Sequence, residues 1–286
     1  MVDPGLARAR RLSTPAPGPL LTLSVVAAIR AAARAGAASL EVSLDLGRSQ
    51  TSVEPGADTF RWCQRHWPLP AAKERTVYHF DGDHFVPVSR FSQSLIKLVP
   101  TEWGAPTFEI DGIKMLPSAK VSPYADARAK VELVAPAGRV VLDTCGGLGY
   151  FAAWCVALGA REVRSFEKHA DVLWLRTLNP WSPVVDGALT LTHGDVREAL
   201  PGLADASVGA ILHDPPRFGI AGELYSQAFY GELARVLERR GRLFHYTGTP
   251  NKLTSGRDVP MEVAKRLKTA GFTTEPRLDG VLAVRR

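Results

Sequence analysis

The sequence predicts an α/β protein in which a small mixed N-terminal domain precedes a mostly parallel sheet. Three observations support this prediction. An apolar run at residues 140–142 is followed by a glycine-rich stretch and then by a helical segment, as in ligand-binding turns of α/β proteins. Apolar strands and helical segments alternate from residue 117 onward. Acidic residues close four successive strands, at the edge where parallel sheets bind their ligands.

The N-terminal residues 1–19 contain several arginines and three closely spaced prolines, and we expect a disordered tail there. The apolar run that follows resembles part of a signal peptide, but it is too short to span a membrane and continues as an amphipathic pattern with arginines. We therefore predict a helix over residues 20–36 that ends at Gly36. The arginine-rich start also fits an organelle transit peptide, and the sequence leaves that alternative open.

Residues 20–116 are predicted to form a small domain with one helix and a mainly antiparallel sheet. Apolar and polar residues alternate over residues 39–46, which is typical of a half-buried strand. Shorter strand-like pieces follow at residues 59–63, 76–80, 84–88 and 107–115, separated by glycine and proline.

One segment of this small domain is a candidate substrate-binding surface. Trp62 and Trp67 are interleaved with Arg61 and Arg65, and aromatic rings with arginines suit the stacking of nucleic-acid bases. Core tryptophans with solvated arginines between them explain the same pattern, so both interpretations remain open.

Residues 117–286 are predicted to alternate helices with strands, which implies right-handed crossovers and a parallel sheet covered on both faces. The predicted helices span residues 122–134, 150–159, 170–178, 223–237 and 260–270. The predicted strands span residues 139–143, 162–166, 189–192, 208–212, 242–246, 273–275 and 281–285.

The turn after the first of these strands reads Asp143-Thr-Cys-Gly-Gly-Leu-Gly149. Glycine permits close backbone approach to a ligand, and the following helix start offers free N–H groups. The spacing Gly147-x-Gly149-x-x-Ala152 also fits a dinucleotide site, with Glu167 on the NAD ribose. Three features favour a different ligand. Asp143 would repel a pyrophosphate but suits a cationic amino acid group, a further acid closes the third strand, and Asp-Pro-Pro closes the fourth.

Over about residues 120–286, these motifs resemble the class I S-adenosylmethionine-dependent methyltransferases. Their first motif is Asp/Glu-x-Gly-x-Gly-x-Gly, and Cys145 stands here in place of its first glycine. The resemblance implies a Rossmann-like class I methyltransferase fold with a mostly parallel seven-stranded sheet, and S-adenosyl-L-methionine as cofactor. It places Glu167 on the cofactor ribose and Asp195 on the adenine amino group. The cofactor-binding residues that it implies are Asp143, Cys145, Gly147, Gly149, Glu167 and Asp195.

More narrowly, the chain looks like a predicted methyltransferase family that is widespread in archaea. The likeness rests on the glycine-rich turn, on Asn179-Pro-Trp-Ser182, on the segments 222–225 and 244–248, and on His213-Asp-Pro-Pro-Arg-Phe218. The small N-terminal domain also matches this family around residues 43–47. We derive no substrate from this likeness.

The Asp-Pro-Pro motif resembles that of base amino-methyltransferases, in which an aromatic residue follows. An exocyclic amine is a poor nucleophile because its lone pair is delocalised into the ring. A carboxylate and a proline carbonyl that accept its hydrogens localise the lone pair, and the aromatic ring stacks on the base. The resemblance makes Asp214, Pro215, Pro216 and Phe218 the catalytic candidates. Arg217 occupies the usual aromatic position and could stack or meet a phosphate.

His213, His245 and Tyr246 lie at neighbouring predicted strand ends and are expected to line the acceptor pocket. Lone histidines often have structural roles, and that alternative stays open.

The formal charge of +6 permits a polyanionic partner without requiring one. The three cysteines form no closed disulfide framework and have no zinc-ligand spacing, so we expect a cytoplasmic protein without metal or membrane partner.

The sequence predicts an N-methyltransferase acting on an exocyclic amine, with a base of structured RNA (rRNA or tRNA) as substrate. A small-molecule N-methyltransferase, an aminopropyltransferase-like enzyme and a non-catalytic cofactor-binding module are the alternatives. The oligomeric state is left open.

Overall fold

A computed structural model describes residues 18–216, 221–248 and 258–286. They form two compact units. The N-terminal unit contains the described residues up to Asp126 together with Asp171–Ser182, and the C-terminal unit contains Ala127–Ala170 with the described part of Pro183–Arg286. This division falls inside the helix predicted at residues 122–134 instead of at residue 116. The tail predicted over residues 1–19 lies outside the described residues, apart from Gly18 and Pro19.

Up to residue 116, the described part of the N-terminal unit has one α-helix and three small antiparallel sheets, where the sequence predicted one helix and a mainly antiparallel sheet. Helix α1 (Leu23–Arg34) begins where the Thr22 hydroxyl accepts the Val25 amide, and it buries Val26 and Ile29 on one face. The strands are β1 (Leu40–Val42), β2 (Thr51–Pro55), β3 (Thr59–Trp62), β4 (Arg65–Pro68), β5 (Tyr78–Phe80), β6 (Phe85–Pro87), β7 (Ser89–Phe91), β8 (Leu95–Val99), β9 (Thr107–Ile110) and β10 (Ile113–Lys114). They are ordered β1-β2-β3-β4, β5-β6 and β10-β9-β8-β7.

The strand predicted over residues 39–46 is shorter than expected, because side chains of the following loop bond to the backbone. Strand β1 ends at Val42. The Ser43 hydroxyl then accepts the Gly47 amide at 2.6 Å, and the Asp45 carboxylate accepts two further loop amides at 2.9 and 3.0 Å. Such local bonds compete with a strand ladder. Leu44 belongs to this loop, but its side chain is buried in the core. This burial explains the strand-like alternation of apolar and polar residues in the sequence.

The C-terminal unit is built on a seven-stranded sheet in the order β13-β12-β11-β14-β15-β17-β16. Neighbouring strands from β13 to β15 are parallel, and β17 is antiparallel to both β15 and β16. The strands are β11 (Val140–Asp143), β12 (Glu162–Glu167), β13 (Leu189–His193), β14 (Val208–His213), β15 (Leu237–Tyr246), β16 (Phe272–Arg277) and β17 (Gly280–Arg285). This order confirms the predicted mostly parallel, Rossmann-like arrangement.

The described α-helices of the second half of the chain alternate in sequence with the strands of this sheet. They are α2 (Pro123–Val134), α3 (Tyr150–Ala157), α4 (Ala170–Leu178), α5 (Val196–Ala199), α6 (Gln227–Val236) and α7 (Val259–Thr269). Helix α4 has the predicted bounds, but all of it except Ala170 belongs to the N-terminal unit. Within the described part of the chain, no helix is long and apolar enough to cross a membrane.

The core of the sheet positions the site. Strands β11 and β14 are buried along their whole length, as expected for parallel strands covered on both faces. The strand order runs in one direction from β11 to β13 and in the other from β11 through β14 to β15. At such a reversal point a crevice opens outside the carboxyl ends of the strands, and α/β proteins bind their ligands there.

Two predicted elements near this crevice differ from the structure. The helix predicted at residues 223–237 begins at Gln227, because the Ser226 hydroxyl accepts the Phe229 amide at 3.2 Å and so starts a new helix. Strand five begins at Leu237, not at residue 242. The predicted turn at residues 240–241 is a local irregularity inside the strand, where Arg240 has a φ of 61°.

Candidate functional site

Four acidic side chains end or follow neighbouring strands at one edge of the sheet. In the parallel ladders, Asp143 pairs with Leu212 and Glu167 pairs with His193, so the carboxyl ends of β11, β12, β13 and β14 lie side by side. Asp214 directly follows β14, and Asp195 lies two residues after the end of β13. The structure therefore brings the strand-end acids to one edge, as the sequence predicts.

The glycine-rich turn is tied to the end of β12. The Gly146 amide donates to the Phe166 carbonyl at 2.7 Å, and the Gly147 amide donates to Glu167 Oε2 at 2.8 Å. Gly147 and Gly149 have φ values of 49° and 83°, in the left-handed region that glycine tolerates best. Gly149 is the N-cap of α3 and has no side chain that could cap the helix. The first backbone amides of α3 therefore point towards the turn without a capping side chain.

Cys145 occupies the first glycine position without backbone strain, since it is not among the residues with positive φ. Its side chain packs against the hydrophobic core of the C-terminal unit. Burial, together with the nearby Glu167 carboxylate, raises the pKa of the Cys145 thiol well above its usual value. The thiol is therefore neutral, and its geometry indicates a packing role.

Asp143 supports the turn from below. Its side chain is fully buried, and Oδ2 accepts the Ser165 hydroxyl at 2.7 Å. In its ionised form, a carboxylate at this position creates negative potential next to the glycine-rich turn. That potential disfavours an anionic ligand and favours a cationic one.

Glu167 bridges the glycine-rich turn and the segment after β12. Besides the Gly147 amide at Oε2, its Oε1 accepts the His169 amide at 2.8 Å. A carboxylate has about four acceptor positions, so it can accept hydrogens from backbone amides and from ligand hydroxyls together.

Asp195 is held by cations of its own unit. Its carboxylate caps α5 at the Arg197 amide and also accepts from the Arg197 guanidinium, at 2.6 to 3.1 Å, and from Lys168 Nζ, at 3.1 Å. The bonds from Arg197, followed by those from Lys168, hold the pKa of Asp195 well below its usual range. The carboxylate is thus ionised, and a ligand amino group at Asp195 has to share it with these cations.

The Asp214-Pro215-Pro216 segment is anchored by a tyrosine. Asp214 is half-buried and Pro215 is buried. The hydroxyl of Tyr225, which is 2% exposed, donates to the Pro216 carbonyl at 3.0 Å. Burial and the nearby Asp214 charge raise the pKa of Tyr225, so its hydroxyl stays a donor. The predicted Arg217 and Phe218 lie outside the described residues.

The structure places His213 and His245 beneath this edge, so neither ring lines an open pocket as the sequence led us to expect. Both side chains are fully buried, and their ring centroids are 4.4 Å apart in a perpendicular arrangement. His213 Nε2 lies 3.1 Å from the Leu224 carbonyl, and Nδ1 lies 2.7 Å from the Thr144 hydroxyl. The carbonyl requires a proton on Nε2, so the Thr144 hydroxyl donates to Nδ1.

His245 is satisfied in the same way. Nδ1 donates to the Tyr246 carbonyl at 2.7 Å, and Nε2 accepts the Tyr230 hydroxyl at 2.8 Å. Burial lowers the pKa of His213 to about 3, and burial together with His213 lowers the pKa of His245 well below its usual value. Both rings are neutral. His213 contacts Thr144 at the start of the glycine-rich turn, and the contact between the two rings links this turn to the ends of β14 and β15.

These histidines make the stability of the fold depend on pH. Below about pH 6.5 the unfolded chain binds protons that the folded chain excludes, so we expect the free energy of unfolding to fall as the pH drops from about 6.5 to 4.5. The slope for His213 approaches about 1.4 kcal/mol per pH unit, and His245 adds to it with the same sign. Urea unfolding at a series of pH values measures this slope. His213→Gln should flatten it, and a stability that is constant over this pH range would contradict the assignment.

Sequence reasoning missed Lys130. This side chain is 1% exposed, and its Nζ lies 3.1 Å from Asp279 Oδ2 and 4.6 Å from the centroid of the Tyr246 ring. Tyr246, which is half-buried at the end of β15, is thus held against a buried cation. The helical spacing of the sequence could have predicted that Lys130 is buried. Lys130 lies three residues after buried Ala127 and four before buried Val134, on the inward face of α2.

In the N-terminal unit, the predicted aromatic and arginine segment has internal partners. Arg61 pairs with Glu54 at 2.9 Å, and the Arg65 guanidinium lies 4.2 Å from the ring of Trp67, which is 6% exposed. Trp62 Nε1 donates to a threonine hydroxyl at 3.0 Å. These contacts favour the interpretation as core tryptophans over that of a free stacking surface.

No family model matches this sequence. A crystal structure of spermidine synthase in complex with the transition-state analogue AdoDATO aligns with a TM-score of 0.55 over 69% of this chain and 72% of the synthase, at 15% identity. MNMC2 from Aquifex aeolicus aligns with a TM-score of 0.51 over 69% of this chain and 72% of that protein, at 18% identity. With the strand order above, these likenesses define a Rossmann-like class I methyltransferase fold.

A relative in the archaeon Methanocaldococcus jannaschii gives the family. The chain is 39% identical to the uncharacterized protein MJ1233 of that organism over 216 residues, which are 75% of this chain and 74% of that protein. The chain belongs to the same family as MJ1233.

Proposed function

We propose that this protein is an S-adenosylmethionine-dependent N-methyltransferase that acts on an exocyclic amine of an RNA base. The proposal is carried by one juxtaposition at the edge of the sheet. A glycine-rich turn that is bonded to Glu167 lies at the end of β11, and the Asp214-Pro215-Pro216 segment follows the neighbouring strand β14. The glycine-rich turn with Glu167 can hold a nucleoside with a cationic tail. The Asp214-Pro215-Pro216 segment can hold an amine.

The residues of this edge fit S-adenosylmethionine better than a dinucleotide. S-adenosylmethionine presents cationic groups, ribose hydroxyls and an amino group, all of which suit carboxylate partners. A pyrophosphate needs the free amides of the turn. The Gly147 amide already donates to Glu167, and Asp143 is buried below the same turn. The bond from Gly147 to Glu167 and the buried Asp143 both disfavour the binding of a pyrophosphate at this turn.

The chain's own residues account for the chemistry on the acceptor side. When bound, S-adenosylmethionine supplies an electrophilic methyl group. The Asp214 carboxylate and the Pro215 carbonyl would accept the hydrogens of the acceptor amine, which localises its lone pair for attack. Tyr225 acts as a positioning residue, because its bond to the Pro216 carbonyl restrains this loop.

The choice of RNA as substrate rests on the likeness to base amino-methyltransferases and on the net charge of +6. A small-molecule amine is the competing acceptor. The fate of a labelled methyl group, in RNA or in small amines, distinguishes the two acceptors.

Titration calorimetry should detect binding of S-adenosylmethionine or S-adenosylhomocysteine and no comparable binding of NAD. With methyl-labelled S-adenosylmethionine, label should enter total RNA from a strain that lacks the gene, and nucleoside mass spectrometry should identify the methylated base. RNA from the parent strain is the control, since its sites are already modified. Binding of NAD without S-adenosylmethionine would reject the proposal, and label found only in small amines would replace RNA by that acceptor.

A further inference from the structure

The N-terminal unit exposes an aromatic side chain on a sheet face. Phe91, at the end of β7, is 75% exposed and lies directly opposite Leu95 of β8, which is 43% exposed. Side chains alternate along a strand, so Lys97 points to the same side as Leu95, whereas buried Ile96 points to the other. We call this outward face, with Phe91, Leu95, Lys97 and Lys114, the Phe91 face. Exposed apolar side chains grouped in this way indicate an interaction site.

The Phe91 face carries more positive than negative charge. Glu109 of β9 pairs in the ladders with Lys97 on one side and with exposed Lys114 on the other. The Glu109 side chain is only 3% exposed, and its carboxylate contacts Lys97 Nζ at 3.5 Å and also the Arg75 guanidinium. Glu109 and exposed Asp111, whose carboxylate accepts the Leu95 amide at 2.8 Å, oppose three cations. Positive charges therefore outnumber negative ones, and the face has an electrostatic preference for an anion.

A cavity of about 510 Å³ adjoins this face and shares Leu95 and Lys97 with it. Lys73 contributes a further cation to its lining. Rings form much of its wall, from Pro68, Pro70, Tyr78, Phe85 and Pro87. Among the described residues that line it there is no aspartate or glutamate. An apolar group in the cavity would contact this wall, and an anion attached to that group would meet the lysines.

We propose that the Phe91 face and this cavity bind a single-stranded segment of RNA, with one base stacked on Phe91 and phosphates near Lys73, Lys97 and Lys114. An exposed ring beside cations matches single-strand recognition, which combines base stacking with backbone charge. The choice of RNA rests on the function proposed above, whereas the site itself lies outside the strand-end edge. It replaces the segment around Arg61 and Arg65 as the candidate RNA surface of this unit.

Fluorescence anisotropy of the full-length chain with a labelled single-stranded RNA oligonucleotide, without cofactor, tests this proposal. Phe91→Ala should weaken binding about tenfold through loss of stacking. The double variant Lys73→Ala and Lys114→Ala should lower the slope of log affinity against log salt by about 1.4, at about 0.7 for each phosphate contact on a single strand. Arg61→Ala, which removes an arginine already paired with Glu54, is the matched control and should change neither quantity. All these side chains are exposed, so thermal unfolding should stay unchanged.

Three results would overturn the proposal. They are an unmodified protein that does not bind the oligonucleotide, a Phe91→Ala variant that binds it as tightly as the unmodified protein does, and a Phe91→Ala variant that alters only self-association in sedimentation. The last result would assign the face to a second copy of the chain. Calorimetry with S-adenosylmethionine on the same samples keeps the two proposals apart, because failure of cofactor binding rejects the proposed function and leaves the RNA measurement valid.

Discussion

Asp214→Ala is expected to slow methyl transfer about 10²-fold or more while the affinity for S-adenosylmethionine stays nearly unchanged. The Asp214 carboxylate helps chiefly in the transition state, when the acceptor amine gains positive charge. Cofactor contacts are expected instead at the glycine-rich turn and Glu167, so the loss should appear in the turnover rate. A single-turnover assay at saturating cofactor, on total RNA from a strain that lacks the gene, measures it.

Asp214→Asn is the matched control, because its amide oxygen can still accept a hydrogen from the amine, and its loss should be milder. Equal transfer rates for Asp214→Ala and the unmodified protein would make this segment structural. The assignment of an amine as the acceptor would then lose its main support.

Glu167→Ala should weaken binding of S-adenosylmethionine by about 1–3 kcal/mol, through loss of charged hydrogen bonds to the ribose. The change also removes the acceptor of the Gly147 and His169 amides, so the turn loses its connection to β12. Titration calorimetry gives the affinity. Glu198→Ala removes an equally charged, exposed side chain from α5 and should leave the affinity unchanged. An affinity retained in Glu167→Ala would contradict the placement of the ribose at β12.

The sequence was sufficient for the sheet because buried parallel strands leave a strong local signal. The runs that became β11 and β14 are apolar over almost their whole length, and α4 has the predicted bounds. Strand-end acids were also predictable, since each one ends a strand-like segment or follows it within two residues. The loop after β1 was missed, because Ser43 and Asp45 redirect the backbone through side-chain bonds that a pattern of apolar and polar residues does not contain.

The buried polar network could not be predicted, because its partners are far apart in the chain. His213 meets Thr144 across 69 residues, and Lys130 meets Asp279 only once the sheet has formed. At the sequence level, a histidine at a strand end gives no sign of whether it faces a ligand or is covered by a tyrosine. Tertiary packing decides this, and it places His213 and His245 under the site.

The position of β17 has a consequence for synthesis on the ribosome. This strand follows β16 in the chain but lies between β15 and β16 in the sheet. Until residues 280–285 have left the exit tunnel, one edge of β15 has no partner, and its backbone amides and carbonyls are free to pair with another chain. At about 5–20 residues per second, the stretch from residue 246 to 285 takes seconds to emerge. A nascent chain that stalls after β16 therefore carries an open sheet edge that can pair with another chain.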